Sequence, residues 1–225
     1  GQTRTEATVS EIRLAVAEPS VEMGHIDNTM EALGSSCYFL TVEGNRYRFS
    51  LSPNLNKILA DRRGNIQAPR VEEKVRAEVQ NVFAAGSGVE RVFWPERSGQ
   101  IPDRAVLTLA ILPREQSMQD RGTIIQLVDS MTKEHGTSSR TFKSALIWCV
   151  AENATSLPDE ARKVLAWEDI DDEKDDLRLD DGQKRQVVEN VKKARRDLRE
   201  TVWRTYKNIV LLGEDNKQRV VDLGL

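Results

Sequence analysis

"CYFLTVEGNRYRFSLSPNLNKILADRR", Cys37–Arg63, is the stretch whose reading decides the fold. Two runs in it alternate in polarity: Tyr38, Leu40 and Val42 in the first, Tyr47, Phe49 and Leu51 in the second. Successive side chains of a strand point to opposite faces, so each run predicts a strand with one apolar face. The Glu-Gly-Asn between them allows a tight turn, which predicts a hairpin. Pro53 cannot continue a ladder and ends the second run. Asn54 is suited to cap the helix that Leu55, Ile58 and Leu59 then define. On this alternation the aromatics turn to the core, and Arg46 and Arg48 share the opposite, solvent-facing side. Arg62 and Arg63 close the helix. These four arginines leave two readings open: the wing and exit of a DNA-binding fold, or a scaffold that is basic at that place.

Upstream, "TVSEIRLAVAEP" begins with a capping box, Thr8 with Glu11 three residues on. Ile12, Leu14, Ala15 and Val16 give that helix an apolar side, and Pro19 stops it. In "HIDNTMEALGSS" Ile26, Met30 and Leu33 fall at helical spacing, with Gly34 as the expected C-cap. Two helices followed by a hairpin is the order of a winged helix, so a winged-helix-like domain is expected over residues 1–69, with 65–69 as a linker.

Residues 70–225 predict a mixed α/β domain. Val71, Val75, Val79 and Val82 mark one face of a helix. "VERVFWP", "AVLTLAILP" and "TFKSALIWCVA" read as strands, the last two apolar enough to be buried on both faces. "RGTIIQLVDSMTKEHG" reads as a helix ended by Gly136, so strand, helix and strand there predict a parallel crossover. "SLPDEARKVLAWEDI" is a further helix, and an acidic loop follows it. A long amphipathic C-terminal helix is expected over about 183–211, its seam drawn by Val187, Val191, Ala194, Leu198 and Val202. That seam either packs on the sheet or joins a second copy as a homo-oligomer. The fold class is therefore α/β (α+β overall), with a short, partly parallel sheet.

Composition bounds function. In 225 residues, 39% are hydrophobic and 31% charged, the balance of a globular chain. No apolar run approaches the ~20 residues of a membrane helix, and no leader pattern opens the chain, so no membrane partner and a cytoplasmic location are expected. Cys37 and Cys149 stand far apart in apolar runs and read as free buried thiols. A net charge of −3 gives no global field for nucleic acid, so any such contact needs a local patch. The patch would be Arg46, Arg48, Arg62 and Arg63, because guanidinium groups neutralise phosphates. The second helix of the winged order carries Asp27 and Glu31 and no Lys or Arg; only Asn28 there is suited to base edges. Arg62 and Arg63 also suit a helix C-terminus for its dipole alone.

No catalytic constellation is complete, and no metal site is expected. A phosphate-binding loop with Lys and Ser/Thr is absent, and the glycines of "AAGSGVE" fall between a helix and a strand, the wrong order for a nucleotide fingerprint. His25 and His135 have no partners at metal spacing. His135 lies at a helix end, where imidazole suits the last carbonyls; pairing with Cys149 would need a reactive thiol, and Cys149 sits mid-strand. The acidic run Glu168 to Asp181 lacks the ligand spacing of a calcium loop. Asp103, Asp120 and Glu134 are the carboxylates around which a nuclease or hydrolase would have to be built. Arg140, just before a strand, is placed either for a surface salt bridge or to reach a partner's phosphate. Gly1 stands where an initiator Met would, as in a cleaved-tag remnant or a piece of a longer protein.

At "YRFSLSPNLNK" (Tyr47, Arg48, Phe49, Pro53, Asn54, Leu55, Asn56, Lys57) and again at "EARKVLAWEDI" (Ala161, Arg162, Leu165, Ala166, Trp167, Ile170) the chain resembles a prokaryotic family. It is similar, over most of residues 40–210, to the region of unassigned function that follows the ATPase core in large AAA+-type proteins of anti-phage and restriction-like gene clusters. The resemblance implies a non-catalytic accessory part of a phage-defence ATPase, whose ATP and Mg would be held by an upstream domain of the same chain. It also implies that a wing would touch DNA, as in origin-recognition ATPases, or dock within the molecule.

Overall fold

The computed structural model describes residues 6–224, so Gly1 lies outside the described residues. The elements run β1 (Glu6–Thr8), α1 (Val9–Val16), α2 (Met23–Ser36), β2 (Leu40–Glu43), β3 (Arg46–Phe49) and α3 (Leu55–Asn65). Then come α4 (Ala68–Ala84), β4 (Glu90–Phe93), β5 (Thr108–Ile111), α5 (Arg121–Lys133), β6 (Glu134–His135), β7 (Ser138–Ser139) and β8 (Leu146–Val150). The chain closes with α6 (Leu157–Asp172), α7 (Asp181–Thr205), β9 (Asn208–Leu212) and β10 (Gln218–Asp222). The fold is mixed α/β, and among the described residues no helix is long and apolar enough to cross a membrane.

Two compact units share these elements. The first is Gly1–Gln67 with Arg162–Ala194, and the second is Ala68–Ala161 with Arg195–Leu225. The first boundary lies close to the one expected at 69. The expectation that all of 70–225 forms one domain does not hold, because most of α6 and the first half of α7 belong with the N-terminal segment. Three contacts fasten that return. Gln183 Nε2 donates to the Pro53 carbonyl at 2.7 Å, Ser52 Oγ donates to Asp180 at 3.1 Å, and Arg62 pairs with Glu173. The linker is also shorter than expected, since only Ile66 and Gln67 separate α3 from α4, and Pro69 sits in the first turn of α4, where a missing N–H costs nothing.

In the first unit a three-stranded antiparallel sheet has the order β1-β3-β2. The pairs Ala7↔Tyr47 and Val42↔Tyr47 share one face, while Glu6↔Arg48 and Glu43↔Arg46 share the other, so aromatics and arginines part as the alternation requires. The capping box at α1 is present in full: Glu11 N donates to Thr8 Oγ1, and Thr8 N donates to Glu11 Oε2 at 2.9 Å. Two expectations fail. Gly34 does not end α2, which runs on to Ser36; a Cβ at Gly34 would lie 2.9 Å from Val42 Cγ2, so the glycine is there to let the helix touch the sheet. The apolar residues of α1 and of the hairpin's end are not all core, because α1 buries no residue, and Phe49 and Leu51 are 81% and 98% exposed.

The second unit is built on a five-stranded sheet of order β10-β9-β8-β5-β4. β4, β5 and β8 are parallel, with α5 as the β5-to-β8 crossover, while β8, β9 and β10 are antiparallel. Ala110, Leu112, Leu146, Trp148, Val150 and Val210 alternate onto one face and cluster with Ile124, Val128 and Met131 of α5. Trp148 Nε1 donates to Thr132 Oγ1 at 2.8 Å, which satisfies the one polar atom the ring buries. The four valines of α4 are buried as the periodicity predicts. Phe83 of α4 meets Trp203 and Tyr206, and Arg199 pairs with Glu78 at 3.2 Å. The long helix ends at Thr205, six residues before its expected end, and the chain turns into β9 and β10. All five seam residues of α7 are buried.

Candidate functional site

The four arginines of the opening stretch do not form one patch of free charge. On β3, Arg46 donates to Glu6 of β1 at 2.7 Å, and on α3, Arg62 is paired with Glu173. Arg48 and Arg63 have no such partner among the described residues. Arg63 borders a shallow basin with Ala60, Gly64, Ile66 and Arg162. Asn28 is exposed on α2, but its neighbour Asp27 is engaged by Arg13 of α1 through two bonds of 2.8 and 2.6 Å, which hold the Asp27 carboxyl below the usual carboxylate range. The second helix of the winged order therefore presents Glu31 and an occupied Asp27, and no cation.

Arg48 opens onto a polar recess of the first unit, a cavity of about 340 Å³ bounded by β2, the start of α3 and the start of α7. Two helix N-termini bring positive dipole ends to it, which is the geometry that attracts anions. Both ends are already capped from within. Asn54 Oδ1 accepts from Asn56 N at 3.0 Å and Lys57 N at 3.4 Å. Asp180 accepts from Gln183 N at 2.9 Å, and that backbone bond, with Ser52 Oγ as a smaller contributor, lowers the Asp180 pKa. Glu43 stands on the same wall. One free guanidinium thus faces two carboxylates and two occupied helix ends, a poor arrangement for phosphate.

Arg140 corrects both of its sequence expectations. It is 2% exposed, so it reaches neither a partner's phosphate nor a surface carboxylate. Its Nη1 donates to the carbonyls of Ile101 and Pro102, and its Nη2 to those of Ser98 and Met131, at 2.8 to 3.4 Å. Asp103 stands nearby and accepts from Thr141 N and Phe142 N, both at 2.8 Å; those two backbone bonds depress its pKa. The arginine clamps the 98–102 segment to the last turn of α5, where the carbonyls of Ile101, Pro102 and Met131 would otherwise lack a donor from a ladder or helix.

The remaining candidates are spread through the fold. Asp120 caps α5 by accepting from Thr123 N at 3.4 Å, and Glu134 accepts from Ser130 Oγ at 3.4 Å. With Asp103 they make no converging group; among the described residues no three His, Cys, Asp or Glu side chains are placed to hold one ion. His135 lies in the β6–β7 hairpin around Gly136, beyond the end of α5. Cys149 is buried in β8 against the Tyr206 carbonyl, and burial pushes its thiol up to about 12, which makes it unreactive. In the acidic run, Glu173 holds Arg62, Asp171 holds Lys174 and Asp175 holds Lys184.

No family model matches the chain, and no curated protein or solved structure is significantly similar to it.

Proposed function

We propose that this chain is a non-catalytic accessory part of an AAA+-type ATPase of a phage-defence system, acting in the cytoplasm. In this reading ATP and Mg are held by an upstream domain. The first unit is winged-helix-like and docks on protein, within the molecule or on a partner. The second unit couples the ATPase state to partners. The family resemblance at Tyr47–Lys57 and Ala161–Ile170 motivates the reading. The winged assignment is supported by strand order β1-β3-β2 with α1 and α2 inserted between β1 and β2.

The observation that carries docking over DNA reading is the charge of α2 and its surroundings. A helix that reads a major groove needs donors for base edges and cations for the flanking phosphates. Here the helix is acidic, and Arg46 and Arg62 are already paired. Retardation of a labelled duplex is expected only at low salt, with an affinity of about 10⁻⁵ M or weaker. Replacing Arg46 and Arg48 together by Ala should weaken even that without unfolding the unit. A sequence-specific shift at nanomolar protein would overturn the docking reading. Titration with ATP should show neither binding nor turnover, and hydrolysis by this chain alone would overturn the accessory role.

A further inference from the structure

We propose that the open face of α7 in the second unit binds single-stranded nucleic acid, with Trp203 as a platform for a base and the arginines around it on the phosphates. This goes beyond the accessory reading above and uses none of the wing arginines. Leu198 and Val202 are buried, which fixes the rotation of the helix and turns its opposite face to solvent. Arg196, Arg199 and Trp203 follow one another at i, i+3 and i+7 and so share that face, and Arg204 flanks the indole. All three arginines are exposed. Trp203 rests on Phe83 of α4, with ring centroids 5.6 Å apart, and is still 42% exposed. It is the most exposed indole among the described residues, because Trp148 and Trp167 are buried and Trp94 is half-buried.

Charge and shape select the occupant. From Lys192 to Arg204 the helix carries six cations and two carboxylates, a local net charge of +4 on a chain of net charge −3. The two carboxylates do not quench it. Glu200 is shared between Arg196 at 3.8 Å and Arg204 at 3.6 Å, and Arg196 reaches Asp197 at 3.9 Å, all beyond hydrogen-bond length. Exposed pairs this long contribute little and give way to phosphate. Arg199 is the exception, held by Glu78 of α4 at 3.2 Å. A cationic helix face with an open aromatic ring matches a single strand, whose bases are free to stack while its phosphates meet guanidinium groups. A duplex offers the phosphates but keeps its bases stacked inside. An anionic membrane takes helices with a broad apolar face, and α7 has spent that face on the interior, leaving one indole to insert.

The test uses the whole chain and a labelled single strand of about 12 thymidine nucleotides. Anisotropy at about 0.05 M salt should show saturable binding with a dissociation constant of about 10⁻⁶ M, and roughly tenfold weaker binding of a duplex of the same length. Unlabelled strand should quench part of the tryptophan emission. Trp203→Leu should abolish that quenching and weaken binding roughly tenfold, the loss expected for one stacked base. Arg196→Ala with Arg204→Ala, both at exposed positions, should leave the melting curve unchanged and lower the slope of log affinity against log salt by about 1.4, the share of two phosphate contacts. Absence of binding, equal affinity for strand and duplex, quenching that survives in Trp203→Leu, or an unchanged salt slope in the arginine pair overturns the proposal. Capture by phosphatidylserine vesicles in place of the strand would also overturn it, in favour of a membrane. Any of these failures leaves the ATP and duplex results above standing.

Discussion

The amide of Asn54 serves two helix ends at once. Its oxygen caps α3, and its nitrogen donates to the Gly34 and Cys37 carbonyls, at 2.6 and 3.1 Å, where α2 runs out. Asn54→Ala removes a cap and leaves buried carbonyls without donors, so a loss of about 2–3 kcal/mol in chemical denaturation is expected. Asn54→Asp keeps the cap acceptor but sets a charge against two carbonyls; if it proves as stable as the parent, the double role is wrong. Arg140→Met should cost roughly 3 kcal/mol, since the carbonyls of Ile101, Pro102 and Met131 lose their donor. Arg140→Lys should rescue little, because one ammonium cannot span the fork that the guanidinium fills. The sequence discloses the first of these residues and conceals the second. A cap acts on its own next turn, so Pro53-Asn54 before an apolar run is readable locally. Arg140 finds three of its four partners 38 to 42 residues away, and nothing beside it in the chain announces that it will be buried.

At the scale of elements, Gly34 reverses a familiar sign. Replacing a mid-helix glycine by alanine ordinarily stabilises by about 0.5–1 kcal/mol. Here the new methyl would press on Val42, whose branched side chain has few rotamers to retreat into. Gly34→Ala should therefore lower the melting temperature, and a rise would show that α2 lies further from the sheet than described. Elements with complete local patterns are legible: the hairpin, the valine face of α4, the apolar strands β5 and β8. Others are hidden for identifiable reasons. Val202, Tyr206 and Val210 keep a four-residue spacing across the true end of α7, so the pattern continues the helix into β9. Glu6–Thr8 is three residues with no strand signal of its own, made a strand by its pairing with β3. Periodicity places Phe49 on the aromatic face correctly, but a period cannot say whether that face is covered.

For the whole molecule, the division into units follows contacts rather than sequence order. A fragment of residues 1–69, the domain the sequence suggests, lacks the partners of Pro53, Ser52 and Arg62. It should give no cooperative thermal transition by circular dichroism, whereas the full chain should. A sharp transition in the fragment would mean that Arg162–Ala194 contributes little to the first unit. No local signal could have indicated this, because "EARKVLAWEDI" carries an ordinary amphipathic pattern that does not name the surface it meets.

The interleaving also sets a schedule for synthesis. Between Gln67 and Arg162 about 95 residues must be added before the first unit receives its missing helices. At ribosomal rates of about 5–20 residues per second, that delay is of the order of 5–20 s. The second unit waits in turn for β9, which follows the first unit's last residue. A nascent chain therefore exposes the unfilled faces of both units until the segments 162–194 and 195–212 have been added.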